Sequence, residues 1–394
     1  MIVPYSEIEQ YYFSGNLPVI SIPAEDDFQF SLSRKGVLLF TEILSPIDDF
    51  VYVRLQDIIE PLLFNAIPSE ATFIQEDNGI AFSFLVDDEP IQFYVIKANL
   101  QQHFFDACNT CIADKNTTAE FLHGNFLTNQ PQERLVKYFE PNFLSYFVTE
   151  EDCNLVSDAW YYLNARLTKI KTVLAERLDS STLYSFNVSF ETLRKKLDGE
   201  IRPVYFEVYI ENRDNVVITY QQRLILHNKR SKFENVYLFE NQLGGLDTFL
   251  LFGAHSVSEN HEYEMAAIDG DNLEYDVNYK TVMKQESGFL SYPQAVWLRE
   301  FFLTPVKFHY LYNAPIRLYL VEKSMESVAH VLNSFNFSFA YPKHLAIDFV
   351  QRSVLDGIDE SQLTEAPANP DFNDDFNNDF LIYGPLQKHN KYGF

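Results

Sequence analysis

Apolar and polar residues alternate along most of the chain in short runs, which Asp, Asn, Gly or Pro residues separate. Residues 28–33, 80–86 and 204–210 are examples in which every second side chain is apolar or aromatic. This period of two places alternate side chains on opposite faces of a strand. The pattern predicts an all-β, mainly antiparallel fold, with tandem immunoglobulin- or fibronectin-like β-sandwich modules and a C-terminal β-rich module with a short helix.

One arrangement of segments occurs twice along the chain. A strand leads into a short helical turn, and two further strands follow. The segments are residues 50–63, 80–86 and 91–96 in the first copy, and residues 183–197, 204–210 and 216–226 in the second. We therefore predict two similar sandwich modules in tandem, at residues 1–140 and 141–240.

Residues 160–170 suit either a strand or a helix. We predict a strand, because polar Asn164, Arg166 and Thr168 alternate with Ala165 and Leu167. The clearest helix begins near Ser291, where a capping residue and an early proline precede apolar residues at helical spacing. This helix belongs to a third module, predicted at residues 241–355.

The composition changes at about residue 356, and residues 356–394 form an acidic, Asn-rich tail. Such a segment does not bury enough apolar surface to build its own core. Phe372, Phe376 and Phe380 recur every four residues between acidic residues. They form either one face of a helix that orders on a partner protein, or part of a solvated tail.

Paired glycines mark the most distinctive turn of the chain. Residues 236–253 contain two aromatic strands around Gly244, Gly245 and Asp247. Glycine permits a positive φ and a close approach of backbones. We predict a hairpin that joins the second and third modules, with its turn at an assembly contact.

The composition limits the possible partners. The 394 residues are 46% hydrophobic and carry a net charge of −26, which would repel the phosphates of a nucleic acid. The sequence contains no apolar stretch of about 18 residues that could span a membrane. The N-terminal residues lack the basic and apolar regions of a signal peptide, and three cysteines do not make a disulfide framework. We expect synthesis and assembly in the cytoplasm, without nucleic acid or membrane span.

Few residues carry recognisable chemistry. Cys108 and Cys111, with His103 and His123, are either ligands of a zinc ion or ordinary side chains, and their spacing fits no common zinc finger. No familiar catalytic or nucleotide-binding motif occurs in a suitable context. We therefore expect no cofactor, no metal and no enzymatic activity. The aromatic residues Trp160, Tyr161 and Tyr162 are candidates for a ligand platform.

A family resemblance depends on motifs in a fixed order. Residues 241–249 (NQLGGLDTF) are followed by residues 286–290 (ESGFL) and by residues 297–305 (WLREFFLTP). A Ser-Gly-Asn stretch at 14–16 and a Leu-Thr-Asn stretch at 127–129 precede them. In this order the chain resembles a family of uncharacterised tail or baseplate-region proteins of Bacteroidetes phages and prophages, over most of its length up to about Ser353.

The resemblance implies a non-enzymatic structural or assembly protein of a phage or prophage tail. Such a protein would be oligomeric, would bind other tail or assembly proteins, and would reside in the virion after assembly in the host cytoplasm. The family carries no catalytic residues that transfer to this chain. A second hypothesis is a carbohydrate-binding protein that recognises a surface glycan, and a third is a glycoside hydrolase or depolymerase, since one fold supports many functions.

Overall fold

Strands dominate the architecture of the protein. The computed structural model describes residues 2–87, 89–98, 118–227, 234–268, 271–311, 314–324 and 332–342. Strands make up 52% of the described residues and helices 13%, which confirms the predicted all-β, sandwich-type class. The described strands form six sheets, and the apolar faces of these sheets pack in three pairs.

The first sheet pair combines a small sheet of order β1-β3-β6 with a five-stranded sheet of order β2-β9-β8-β4-β5. Its core contains Phe30, Phe82 and Phe93 from the large sheet and Ile22 and Val51 from the small one. The strands of this part of the chain are β1 (Ile2–Pro4), β2 (Tyr11–Phe13), β3 (Val19–Pro23), β4 (Phe28–Arg34), β5 (Val37–Leu44), β6 (Phe50–Arg54), β7 (Thr72–Ile74), β8 (Ile80–Val86) and β9 (Glu89–Ile96). Of these, β7 belongs to the second sheet pair.

The second sheet pair has the same construction. A small sheet of order β11-β14-β7 packs on a five-stranded sheet of order β10-β16-β15-β12-β13. Its core contains Tyr146 and Phe186 from the small sheet and Leu155, Phe206 and Leu224 from the large one. Its own strands are β10 (Glu133–Val136), β11 (Phe143–Val148), β12 (Cys153–Leu163), β13 (Arg166–Leu178), β14 (Thr182–Asn187), β15 (Pro203–Glu211) and β16 (Gln222–Leu226).

The two large sheets share one topology, and this confirms the repeat found in the sequence. In each, a hairpin (β4-β5 or β12-β13) adds to an antiparallel pair (β8-β9 or β15-β16), and an earlier strand (β2 or β10) pairs in parallel at the far edge. Each small sheet contains one antiparallel strand pair, which is β3-β6 in the first sheet pair and β11-β14 in the second. The short helices Gln56–Ile59 and Phe190–Lys195 follow β6 and β14 at equivalent places.

The third sheet pair has a different topology. Sheets of order β18-β17-β21-β22 and β19-β20-β24-β23 enclose the helix Tyr292–Leu303, whose Trp297, Leu298 and Phe301 enter the core. The predicted helix is therefore confirmed, and the backbone N–H of Ser291 donates to Gln294 at its start. The strands are β17 (Asn235–Glu240), β18 (Leu246–Leu251), β19 (His255–Ile268), β20 (Asp271–Glu286), β21 (Lys307–Leu311), β22 (Ala314–Arg317), β23 (Tyr319–Ser324) and β24 (Asn336–Ala340).

The ambiguous segment 160–170 is extended, as predicted, but it is not one strand. Strand β12 ends at Leu163 and β13 begins at Arg166. Asn164 and Ala165 between them have φ values of 49° and 62°. Two successive residues with positive φ make a tight turn that matches the twist of the flanking strands. The polar residues that supported a single strand thus surround a hairpin turn.

The sheet pairs are not separated at the predicted module boundaries. Strand β10 precedes residue 140 yet pairs with β16, and β7 from the first part of the chain pairs with β14. The hairpin β17-β18 spans residue 240. One apolar cluster joins all three pairs and includes Phe13 of the first, Phe147 of the second and Leu243 of the hairpin turn. Remaining short helices are Tyr5–Glu7, Ser14–Asn16, Glu60–Leu62 and Thr118–Gly124.

Candidate functional site

The turn between β17 and β18 is organised by one asparagine. The side-chain Oδ1 of Asn241 accepts hydrogen bonds from the backbone N–H groups of Leu243 (3.0 Å) and Gly245 (2.9 Å). Its Nδ2 donates to the carbonyl oxygen of Leu127 at 2.8 Å. Asn241 therefore shapes the turn and also attaches it to the second sheet pair.

Both predicted glycines lie where a side chain would collide with backbone. A Cβ atom on Gly244 would collide with the carbonyl oxygen of Lys97, and one on Gly245 with that of Leu127. Either glycine of the pair would permit a positive φ, but only Gly244 has one, at 84°. Gly245 is required for close approach instead. The hairpin is confirmed, and its turn contacts the first and second sheet pairs of the same chain.

Asp247 connects the second sheet pair to the long helix. Its carboxylate is almost completely buried and accepts hydrogen bonds from Thr128 Oγ1 (2.7 Å to Oδ1) and from Trp297 Nε1 (2.7 Å to Oδ2). Desolvation by burial raises the pKa of Asp247, and these hydrogen bonds oppose the increase. The carboxylate thus has partners on two separate elements.

A buried arginine lies over the ring of Trp297. The guanidinium carbon of Arg134 is 4.7 Å from the ring centroid, a distance typical of a cation–π interaction. Arg134 donates to Glu140 Oε1 at 3.0 Å and to the carbonyl oxygen of Thr248 at 2.7 Å. Because an arginine side chain stays protonated, Glu140 serves as its counter-ion in the protein interior.

Glu300 of the long helix completes this buried polar region. Its carboxylate accepts from Asn129 Nδ2 at 2.8 Å and from the backbone N–H of Gln242 at 3.0 Å. Burial, with a smaller contribution from the nearby charge of Asp247, raises the pKa of Glu300 to about 7. One side chain therefore links the helix, the hairpin turn and the second sheet pair, and it titrates near neutral pH.

The first sheet pair attaches to the hairpin through a lysine and two asparagines. Lys97 Nζ lies 3.0 Å from Glu240 Oε2 at the end of β17, and Asn65 Nδ2 donates to Oε1 of the same carboxylate at 2.5 Å. Asn78 Nδ2 donates to Asn65 Oδ1 at 2.8 Å and to the carbonyl oxygen of Gly244 at 3.3 Å. We call the whole set of polar contacts around the hairpin turn the junction network.

The chemistry of the junction network is that of a rigid joint. Arg134, Asp247 and Glu300 are each buried and each hydrogen-bonded to groups of other elements. Breaking such contacts leaves a buried charge without a partner, which costs more than the contact itself contributes. These three groups therefore hold the second sheet pair against the third, and the contacts of Lys97, Asn65 and Asn78 attach the first.

Asp247 and the two glycines were predicted from the sequence, whereas Arg134, Glu140 and Glu300 were not. For Glu300 a signal exists: this carboxylate follows Trp297 by three positions, so it lies on the same side of the helix as a large aromatic residue that favours burial. Arg134 and Glu140 give no comparable signal, because each lies in a segment that also suits the surface.

In the predicted aromatic platform of Trp160, Tyr161 and Tyr162, the Trp160 ring packs against neighbouring side chains of the same chain. The Trp160 ring is stacked with Tyr205 at 5.6 Å, Lys169 Nζ lies 5.6 Å from its centroid, and its Nε1 donates to Glu207 at 2.7 Å. Tyr161 is half-buried, whereas Tyr162 is 65% exposed. The three residues thus do not present one continuous free surface.

Of the zinc candidates, His103, Cys108 and Cys111 lie outside the described residues, as do Phe372, Phe376 and Phe380 of the tail. His123 is described, and its Nδ1 lies 3.2 Å from Thr149 Oγ1. The described part of the chain contains no group of three or more His, Cys, Asp or Glu residues that could hold a metal ion. It also contains no helix that is long and apolar enough to cross a membrane.

Comparison with known proteins adds no assignment to this geometry. No protein-family model matches the chain, and no curated protein matches its sequence significantly.

Proposed function

We propose that this protein is a non-enzymatic structural or assembly component of a phage or prophage tail, in the baseplate or tail-tip region. It acts through protein–protein contacts. The observation that supports this function best is the junction network, which commits the buried charged groups to joining three sheet pairs. A body held in this way presents its outer strands to partners in a fixed geometry, as an assembly component requires.

The distribution of exposed apolar side chains is a second argument for a role in binding proteins. Val37, Leu38 and Ile43 of β5 are 68%, 59% and 69% exposed, and the nearby Ile47 is 66% exposed. Contiguous apolar surface on a protein is typical of interaction sites. The tail location itself depends on the motif order at residues 241–249, 286–290 and 297–305.

The test of the proposed function is the composition of particles. Tail particles purified from the bacterium that encodes the chain should contain the protein at a fixed copy number, measured by quantitative mass spectrometry. Deletion of the gene should stop tail assembly in electron micrographs, and the wild-type gene should restore it. Normal, infectious particles that lack the protein would rule the function out.

The carbohydrate-binding alternative makes a different prediction. Because Trp160 contacts Tyr205, Lys169 and Glu207, a sugar would have to bind mainly at the exposed Tyr162. A glycan array with wild-type protein and the Tyr162→Ala variant separates the two functions. Binding that Tyr162→Ala abolishes would favour the alternative, whereas an array without binding supports the assembly function.

A further inference from the structure

Strands β5 and β13 occupy the same position in the two copies of the repeated topology. Each is the second strand of a hairpin and forms the outer edge of its five-stranded sheet. Within the described residues, neither has a strand on its outer side. An unpaired edge is a template for another strand, and proteins usually protect such edges with charged side chains, lysine above all.

The two edges differ sharply in charge. Strand β13 carries Arg166, Lys169, Lys171 and Arg177, which are typical of a protected edge. Strand β5 has the sequence VLLFTEIL, in which Glu42 is the single charged residue. Since the topology is the same, the fold does not require this difference. The β5 edge therefore has the properties of a surface that pairs with another strand.

We propose that β5 pairs with β5 of a second copy of this chain, in antiparallel orientation, with Thr41 on the two-fold axis. This inference rests on the proposed assembly function and names one of its partners. The pairing would join two five-stranded sheets into one continuous sheet across the dimer. Such an interface is isologous, because the same strand serves on both sides.

The sequence of β5 favours this register. With Thr41 opposite Thr41, Leu39 lies opposite Ile43 and Leu38 opposite Leu44, so apolar residues meet on both faces of the sheet. Glu42 then lies opposite Phe40. A shift that centres the pairing on Glu42 would place two carboxylates directly opposite each other, which is unfavourable.

Charges at the ends of β5 also complement each other in this register. Lys35 lies in the turn before the strand, and Asp48 and Asp49 lie in the turn after it; all three are exposed. In the antiparallel dimer, the turn with Lys35 approaches the turn with Asp48 and Asp49 of the second copy. The long-range repulsion between two chains of net charge −26 acts against association. Pairing should therefore strengthen as salt screens that repulsion.

The first experiment measures association by sedimentation equilibrium of the full chain in buffers of low and moderate salt. We expect a reversible dimer at about 100 µM protein. Ile43→Lys places a charge on the exposed edge and should raise the dissociation constant at least tenfold. Val173→Lys is the matched control, because Val173 is 40% exposed on β13. It should leave the dissociation constant unchanged.

The second experiment tests the register by disulfide formation. Thr41→Cys in a Cys108→Ser/Cys111→Ser background should form a covalent dimer on mild oxidation, because directly opposite residues have Cβ atoms about 4.5–5.5 Å apart. Ser45→Cys is the control. In this register its two copies are separated by eight residue steps, or about 27 Å, so it should not form the dimer.

Circular dichroism of each variant establishes that it is folded. A monomeric wild-type protein at all concentrations would overturn the self-pairing, and so would a dimer that Ile43→Lys leaves intact. An equal loss of dimer affinity in Ile43→Lys and Val173→Lys would also overturn the self-pairing of β5, because it would indicate that β5 pairs with β13. These results are independent of the particle analysis: a monomer found in tail particles refutes the self-pairing alone, and a dimer absent from particles refutes the tail function alone.

Discussion

Replacement of Gly245 by alanine tests whether the hairpin turn is the joint between the sheet pairs. The added methyl group would collide with the carbonyl oxygen of Leu127 and would lie 3.1 Å from Asn241 Nδ2. The nearest atom belongs to the backbone, and the next two belong to the buried side chains of Asn241 and Ser145, which limits the possible relaxation. The turn must therefore move away from the second sheet pair, and the hydrogen bond from Asn241 to Leu127 must lengthen or break.

Two contributions determine how much Gly245→Ala lowers the free energy of unfolding. Overpacking of a close-packed site costs about 1–3 kcal/mol. A buried polar group that loses its hydrogen bond costs about 1–3 kcal/mol more. We expect Gly245→Ala to lower the free energy of unfolding by about 2–6 kcal/mol, the sum of the two contributions. In a cooperative unit of about 150–250 residues, the central value of about 4 kcal/mol corresponds to a fall in Tm of about 8–16 °C.

The assay is differential scanning calorimetry of Gly245→Ala beside the wild type and Gly124→Ala. Gly124 has no atom within 4 Å of its Cβ position and no positive φ, so alanine there should be neutral or slightly stabilising. Gly245→Ala should shift the transition, or split it as the sheet pairs separate. If the thermograms of all three proteins superimpose, the turn does not hold the sheet pairs together, and the close contact with Leu127 is wrong.

Three further predictions concern the buried Glu300, the buried pair of Arg134 and Glu140, and a structural metal ion. Burial raises the pKa of Glu300 from 4.5 to about 7, because the folded protein favours the protonated side chain. The resulting contribution to the free energy of unfolding is fully present below pH 4.5 and is lost as the pH rises to 7. Urea unfolding should therefore show wild type losing about 3 kcal/mol relative to Glu300→Gln over that range. Arg134→Ala should destabilise by about 3–5 kcal/mol, and removal of Glu140 as well should restore part of this loss. EDTA should leave Tm unchanged; stoichiometric zinc and a large fall in Tm would contradict this.

Local sequence patterns predicted the elements that depend on local physics. Alternation identified β4, β8 and β15, and the repeated order of strand, helical turn and strand pair identified the duplicated topology. The helix Tyr292–Leu303 was predicted from its cap and proline. Each of these signals lies within a few residues of the element that it specifies.

The junction network joins residues far apart in the chain, and the sequence offers no local signal that shows which of these residues contact each other. Thr128 and Asp247 are 119 residues apart, and Asn129 and Glu300 are 171 apart. The turn at Asn164 was missed because the polar residues around it also fit a strand. Sheet membership was similarly hidden, since β10 pairs with a strand 90 residues later.

The duplicated topology separates what the fold requires from what a function requires. Features present in both copies, such as the parallel strand at the far edge and the helix after the small sheet, are part of the architecture. The edge strands β5 and β13 differ in charge, although the two sheets to which they belong have the same topology. Burial in the core does not explain this difference, because both strands lie at the rim of their sheets. Among the described residues no strand covers the outer side of β5, and the proposed pairing with a second copy accounts for its apolar edge, as protection from such pairing accounts for the basic edge of β13.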